Sequence, residues 1–104
     1  MNKYTAFNQE YIRYIILRFL SESPDWHANS DIIQMTLVDL GYEASFEDVN
    51  DALVWLASAE LVTLELMAGD LTVATLTRAG GDAAAWRKIV PGLRRPLGGR
   101  IQGF

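Results

Sequence analysis

Apolar residues recur at helical spacing through the first half of the chain, and this pattern predicts helices. The first predicted helix covers residues 8–21. The second covers residues 31–40, with Ser30 as its N-cap and Gly41 at its C-terminal end. The predicted buried faces of these two helices are Ile12, Ile15, Ile16, Phe19 and Leu20, and Ile33, Leu37 and Leu40.

A third helix is predicted over residues 46–59. Ser45 precedes it and Asp48 follows three positions later, which resembles a capping box with Asp in place of the usual Glu or Gln. Its predicted inner face is Val49, Ala52, Leu53 and Leu56. Because the short turn at residues 41–45 joins this helix to the second one, the pair forms a helix-turn-helix.

The apolar period then becomes alternating, which predicts a β-hairpin. Its strands cover residues 61–67 and 71–77, and residues 68–70, Ala-Gly-Asp, form the turn. A last helix is predicted over residues 78–90, with Ala83, Trp86 and Val90 as its apolar face. The adjacent glycines 80 and 81 weaken the start of that helix by about 1 kcal/mol each.

This order of elements predicts a mainly α protein with a small β-hairpin, an α+β fold. Its expected architecture is a winged helix-turn-helix, in which a three-helix bundle carries a wing and a C-terminal helix. We expect one domain over residues 1–90. Residues 91–104 contain two Pro, four Gly and three Arg without periodicity, and we expect them to be an extended basic tail.

Charge is distributed unevenly along the chain, which has a net charge of −4. Between Phe19 and Thr77 there are eleven acidic residues and no Lys or Arg, whereas residues 78–104 carry six basic residues and one acid, Asp82. Such asymmetry bears on partners and assembly and not on the fold.

Three stretches carry a resemblance to known proteins. Residues 51–62 resemble the passage from the third helix to the wing in ArsR-like and MarR-like winged helix regulators, with Glu60 in place of the usual Gly. Residues 76–84, LTRAGGDAA, and 90–96, VPGLRRP, are similar to the signature of short winged helix proteins of Mu-like phages and prophages. That resemblance implies a phage or prophage origin and an intracellular role.

Catalytic chemistry finds little support in the residues. The chain has one histidine, His27, which we place in a loop, and no cysteine. No nucleophile has an adjacent base, and the acids and glycines lack the spacing of calcium or phosphate-binding loops. We therefore expect no enzymatic activity, no cofactor and no metal.

The third helix would contact DNA in a regulator of this fold, but its outer face is acidic. Glu47, Asp48 and Asp51 would repel phosphates, and only Asn50 is well suited to contact bases. We expect these four residues to form an acidic surface for a protein partner, with DNA binding disfavoured.

The basic residues near the C-terminus have three interpretations. Arg87 and Lys88 on the last helix, with Arg94, Arg95 and Arg100 in the tail, are able to contact phosphates. In the second interpretation they offset the acidic body, within one chain or between subunits, and we favour the protein contacts over nucleic acid. In the third interpretation, the tail docks on an acidic partner, with Arg94 and Arg95 as anchors.

Tyr14, Trp86 and Ile89 are candidates for a dimer surface, because interfaces favour aromatic residues. The alternative is that they close the core of a single chain. No apolar run reaches the length of about 18 residues that a membrane helix needs, and the N-terminus has no signal-peptide pattern. We expect the protein in the cytoplasm of the bacterial host cell, away from membranes.

Two functions are consistent with these observations. The favoured one is a non-enzymatic phage or prophage winged helix protein that acts as a protein-interaction or assembly module and self-associates, as a dimer. The alternative is a DNA-binding transcriptional regulator of the winged helix type.

Overall fold

The computed structural model describes residues 3–95, with side chains from residue 6 onwards. In this part of the chain, four α-helices surround one face of a three-stranded antiparallel sheet. The helices are α1 (Lys3–Ser21), α2 (Ser30–Asp39), α3 (Phe46–Ser58) and α4 (Arg78–Ala84), and the strands are β1 (His27–Asn29), β2 (Val62–Met67) and β3 (Leu71–Leu76). The predicted α+β class is confirmed.

The core lies where the apolar periodicity predicted it. Ile33 and Leu37 of α2 are buried together with the apolar stripe of α3, against a longer buried stripe on α1. The largest side chains with almost no exposure are Ile15, Ile16, Leu17, Leu20, Ile33, Leu37, Leu53, Leu56, Leu61, Val49 and Val62.

The start of α2 differs from the prediction by one residue. Asn29 is the N-cap, and its side-chain oxygen accepts a hydrogen bond from the N–H of Ile32 at 2.9 Å. Ser30, predicted as the cap, is the first helical residue. Its hydroxyl oxygen accepts a hydrogen bond from the N–H of Thr72 at 3.3 Å, which links α2 to β3.

The hairpin forms as predicted, and it acquires a third strand that was not predicted. The strand order is β1-β3-β2, and β1 pairs with β3 in the register His27 to Thr75 and Asn29 to Val73. The prediction that His27 lies in a loop is therefore wrong. A strand of three residues has no recognisable alternation, and only its pairing with a distant strand defines it.

Helix α4 is much shorter than predicted, because it ends at Ala84 and not at Val90. Trp86 has a φ of 60°, in the left-handed region, so the chain turns away after the helix. Trp86 and Val90 still pack against the core, but from non-helical backbone. The two glycines have a packing role: a Cβ at Gly80 would overlap the carbonyl of Leu61, and one at Gly81 would lie 2.7 Å from the Trp26 ring.

The predicted boundary after residue 90 does not coincide with the end of the packed body. Leu93 packs against the core, and the N–H of Arg94 lies 3.4 Å from the carbonyl oxygen of Glu10 on α1. At least up to residue 95, the segment predicted as an extended tail is therefore folded onto the domain. The rest of the predicted tail, residues 96–104, lies outside the described residues.

Candidate functional site

Helix α3 holds the predicted acidic surface, and its capping box is present. The Ser45 hydroxyl accepts from the N–H of Asp48 at 3.1 Å, and the Asp48 carboxylate accepts from the N–H of Ser45 at 3.0 Å. These bonds satisfy two groups that a helix start otherwise leaves unpaired. Asp48 is therefore a structural cap as well as a surface charge.

The other predicted residues of this surface, Glu47, Asn50 and Asp51, are exposed. They lie opposite the buried stripe of α3, because helical spacing places residues 49, 53 and 56 on the other side. Neither carboxylate forms an ion pair with any described residue. Glu47 therefore faces solvent, whereas Asp51 also lines a cavity between α1 and α3 together with Arg13.

Large apolar side chains are exposed beside these acids, and this feature escaped the sequence analysis. Phe46 is 60% exposed and Met35 is 59% exposed. We call the outer surface of the two helices the α2–α3 face. Its apolar members are Ile32, Met35, Val38, Phe46 and Val54, and its polar members are Asp31, Asp39, Glu47, Asn50 and Asp51.

The hairpin next to α3 has a similar character. Leu66 is 71% exposed and lies opposite Thr72 in the ladder, and Met67 is 45% exposed. The turn contains Gly69 with a φ of 77°, and no Lys or Arg occurs in either strand. The hairpin thus also exposes apolar side chains and contains no cation.

Arg94, predicted to anchor the tail to a partner, is used within the chain. Its Nε lies 2.8 Å from a carboxylate oxygen of Glu10, and its guanidinium lies 4.0 Å from the centre of the Phe7 ring. For this residue, the structure corrects the predicted partner contact to an intrachain one. It corresponds to the alternative that the basic residues offset acids of the same chain.

A second arginine, Arg13, contacts the chain next to Arg94. Arg13 on α1 donates a hydrogen bond to the carbonyl of Gly92 at 3.1 Å, and its guanidinium lies 4.2 Å from the centre of the Trp55 ring. Gly92 has a φ of 97°, and a Cβ there would overlap the Trp55 ring. We call residues 91–95 the C-terminal clip, since they join α1 to α3.

Burial shifts the pKa of Arg13 but does not remove its charge. Desolvation lowers the pKa of Arg13 from its ordinary value, and the negative charge of Glu10 raises it. An arginine remains protonated at neutral pH even so. Its charge therefore contributes to the cation–π contact with Trp55.

The other basic residues singled out in the sequence are Arg87 and Lys88, which follow α4, and Arg95, the last residue of the clip. Arg87 is 3.1 Å from Asp82 in a largely exposed ion pair, and Ile89 is 80% exposed. The Arg95 guanidinium lies 5.9 Å from the centre of the Trp86 ring. We call Arg87, Lys88, Ile89 and Arg95 the basic patch. Arg100 lies outside the described residues.

Tyr14 does not belong to a dimer surface of the described chain, because it is only 3% exposed. Its ring lies 5.6 Å from that of Trp86, and its hydroxyl donates to the carbonyl of Ala84 at 3.4 Å. Tyr14 therefore closes the core between α1 and α4, as the alternative interpretation held. Of the three candidates, Ile89 is the one that is fully exposed, and Trp86 is half-buried.

Two of the cavities among the described residues lie along α1. One of about 80 Å³ lies between α1 and α3 beside Arg13 and Asp48, and an open groove of about 320 Å³ is lined by Phe7, Tyr11 and Tyr42. Within residues 3–95, no group of three His, Cys, Asp or Glu side chains is placed to hold a metal ion. None of the described helices is both long and apolar enough to cross a membrane.

Comparison with known proteins identifies one relative. No family model matches the sequence, and no solved structure matches it. An uncharacterized protein of Escherichia phage Mu, gp26, is 39% identical over 84 residues, which cover 81% of this chain and 85% of the relative. The expected likeness to proteins of Mu-like phages is thereby confirmed: the chain belongs to the family of phage Mu gp26.

Proposed function

We propose that this phage protein is a winged helix-turn-helix module that binds other proteins through its α2–α3 face and catalyses no reaction. The order of elements supports the winged helix assignment. A strand follows the first helix, two helices joined by a short turn come next, and a hairpin pairs with the early strand in the order β1-β3-β2. In this assignment α3 is the recognition helix and the hairpin is the wing.

One observation carries the proposal: the α2–α3 face combines exposed apolar side chains with carboxylates and has no cation of its own. Contiguous exposed apolar surface marks sites of protein contact, because its burial by a partner is favourable. Binding to DNA requires the opposite charge, since affinity comes largely from Lys and Arg at phosphates. The chemistry of this face favours a protein partner.

DNA binding through the basic patch is the second candidate function. Lys88 and Arg95 lie outside α3, and Arg87 is held by an exposed ion pair that phosphate would readily displace. Contacts of this kind bind the backbone without reading sequence. A regulator would then depend on this patch and not on its recognition helix.

The first experiment separates these functions by fluorescence anisotropy with random-sequence duplex DNA, at low and physiological salt. We expect no binding by the full chain at either salt concentration. Binding that fades with salt and is lost in a Lys88→Glu, Arg95→Glu variant would establish DNA binding through the basic patch instead. Shortening the chain at residue 90 would be a poor control, because it removes the clip.

A second experiment tests the face itself. A photo-crosslinking residue is placed at Met35, on the α2–α3 face, or at Glu22, an exposed position at the end of α1 that serves as the matched control. In cells producing the phage, we expect protein adducts from position 35 and few from position 22. Equal yields at both positions would contradict the proposal.

A further inference from the structure

Two surfaces of this protein have complementary chemistry. The α2–α3 face is apolar and negative, whereas the basic patch is positive and has one prominent apolar side chain, Ile89. We propose that the basic patch of one copy docks on the α2–α3 face of a second copy, so that the protein assembles head to tail. This inference rests on the proposed function and names the partner as the chain itself.

The α2–α3 face, which we call the acceptor surface, combines exposed apolar side chains with carboxylates. Met35 lies opposite the buried residues of α2, and Phe46 stands at the start of α3, directly after the turn that joins the helices. Glu47 and Asp51, one helical turn apart, are exposed and without ion pairs among the described residues. Such a surface fits an apolar side chain flanked by cations.

The basic patch, which we call the donor surface, consists of such an apolar side chain flanked by cations. The left-handed backbone at Trp86 ends the last helical stretch and directs the following residues outward, where Ile89 is 80% exposed. Arg87 and Lys88 precede Ile89 directly, and Arg95 lies against the neighbouring Trp86. Burial of an exposed Ile side chain by a partner is favourable. The flanking cations would meet Glu47 and Asp51.

A single copy does not bring the two surfaces together. Arg87 of the basic patch pairs with Asp82 of α4, and α4 packs mainly against α1 and β3, whereas the α2–α3 face is the outer side of a different helix pair. Each copy therefore has one acceptor and one donor surface available. Contacts between two different surfaces produce a closed ring or an open filament, and do not stop at a two-fold dimer.

Charge complementarity favours a second copy as the occupant. Residues 19–77 contain eleven acids and no cation, whereas Arg87, Lys88 and Arg95 of the same chain are exposed. The basic patch of every copy therefore carries cations that are able to pair with the carboxylates on the α2–α3 face of another copy. Because the charges lie at the surface, salt should weaken the contact.

The test uses two variants of the full chain, each with one surface removed. The acceptor variant is Glu47→Lys with Asp51→Lys, and it retains the capping residue Asp48. The donor variant is Lys88→Glu with Ile89→Ser. Circular dichroism melting establishes that both are folded, and sedimentation velocity measures assembly at several protein and salt concentrations.

We expect the wild type to form species larger than a dimer as concentration rises, with less assembly at high salt. Each variant alone should be monomeric. An equimolar mixture should form a heterodimer and nothing larger, because one intact donor and one intact acceptor surface remain. A Glu22→Lys, Glu65→Lys control, with the same change in net charge as the acceptor variant, should assemble like the wild type.

Two results would overturn the proposal. One is a wild type that stays monomeric at every concentration. The other is a dimer that both variants still form, which would indicate a two-fold interface elsewhere. If the wild type stays monomeric but position 35 crosslinks to another protein, the proposed function stands with a different protein as the partner. Equal crosslinking from positions 35 and 22 would contradict both proposals.

Discussion

The side of the molecule closed by the C-terminal clip and the α2–α3 face differ in what covers their apolar side chains. On the clip side, Trp55 lies beneath Arg13, and Phe7 lies beneath Arg94. On the α2–α3 face, side chains of similar size such as Phe46 have no such cover. Phe46 is 60% exposed, whereas Phe7 is 36% exposed and Trp55 is half-buried, so the rings on the clip side are covered more completely.

The position of cations along the chain explains this difference. Lys and Arg are confined to the first 18 residues and to those after Thr77, and the clip joins these two ends. The intervening segment, which includes α2 and α3, has no Lys or Arg of its own, so no cation from within it covers the apolar side chains of its outer face. We infer that the clip side contributes to stability, whereas the α2–α3 face is available for binding.

Removal of Trp55 tests the clip side most strongly. Trp55→Ala removes the ring that packs against Gly92 and stacks with Arg13, and we expect a loss of about 3 kcal/mol in the free energy of unfolding. Urea denaturation measures this loss. The control is Val54→Ala at the adjacent exposed position, and equal losses in the two variants would contradict the comparison.

Loss of Arg94 should have a smaller effect. Arg94→Ala removes a partly exposed ion pair and a cation–π contact, together worth about 1 kcal/mol. A double-mutant cycle with Glu10→Gln should show a coupling energy between the two side chains. The same cycle with Lys88 in place of Arg94 should show none, and zero coupling in both would mean that the clip is held by other contacts.

Substitution on the α2–α3 face should have the smallest effect on stability. Met35→Ser lies on the exposed side of α2, so the free energy of unfolding should change by less than about 0.5 kcal/mol. By contrast, Leu37→Ala on the buried side of the same helix should destabilise the domain severely. If Met35→Ser proved as damaging as Leu37→Ala, the face would be part of the core and not a free surface.

The periodic and locally encoded parts of this fold were predictable. Ser45 and Asp48 specify the start of α3 through contacts three residues apart, and the hairpin turn at residues 68–70 has the composition that such turns require. The acidic surface of α3 also followed from spacing alone. In these cases, the decisive contacts lie between near neighbours in the sequence.

The missed features depend on distant contacts. The end of α4 was misplaced because Ala83, Trp86 and Val90 have helical spacing, although the last two reach the core by another route. The clip was missed because its contacts join residues about 80 positions apart. The exposed apolar side chains of the α2–α3 face are a different case, because they do not depend on distant contacts. Met35 and Val38 form a second apolar stripe on α2, outside the buried one, and the sequence alone already contains it.

Strand β1 has a consequence for the order in which the domain folds. The β2–β3 hairpin is closed by a three-residue turn and can form by itself early, on the microsecond timescale of such hairpins. β1 pairs with β3 across the whole of α2, α3 and β2 in the sequence, so this pairing closes a much longer loop. Contacts of such long sequence separation slow folding. The joint between α1 and α2, which β1 forms, should therefore be among the last parts of the protein to gain protection from hydrogen exchange as it folds.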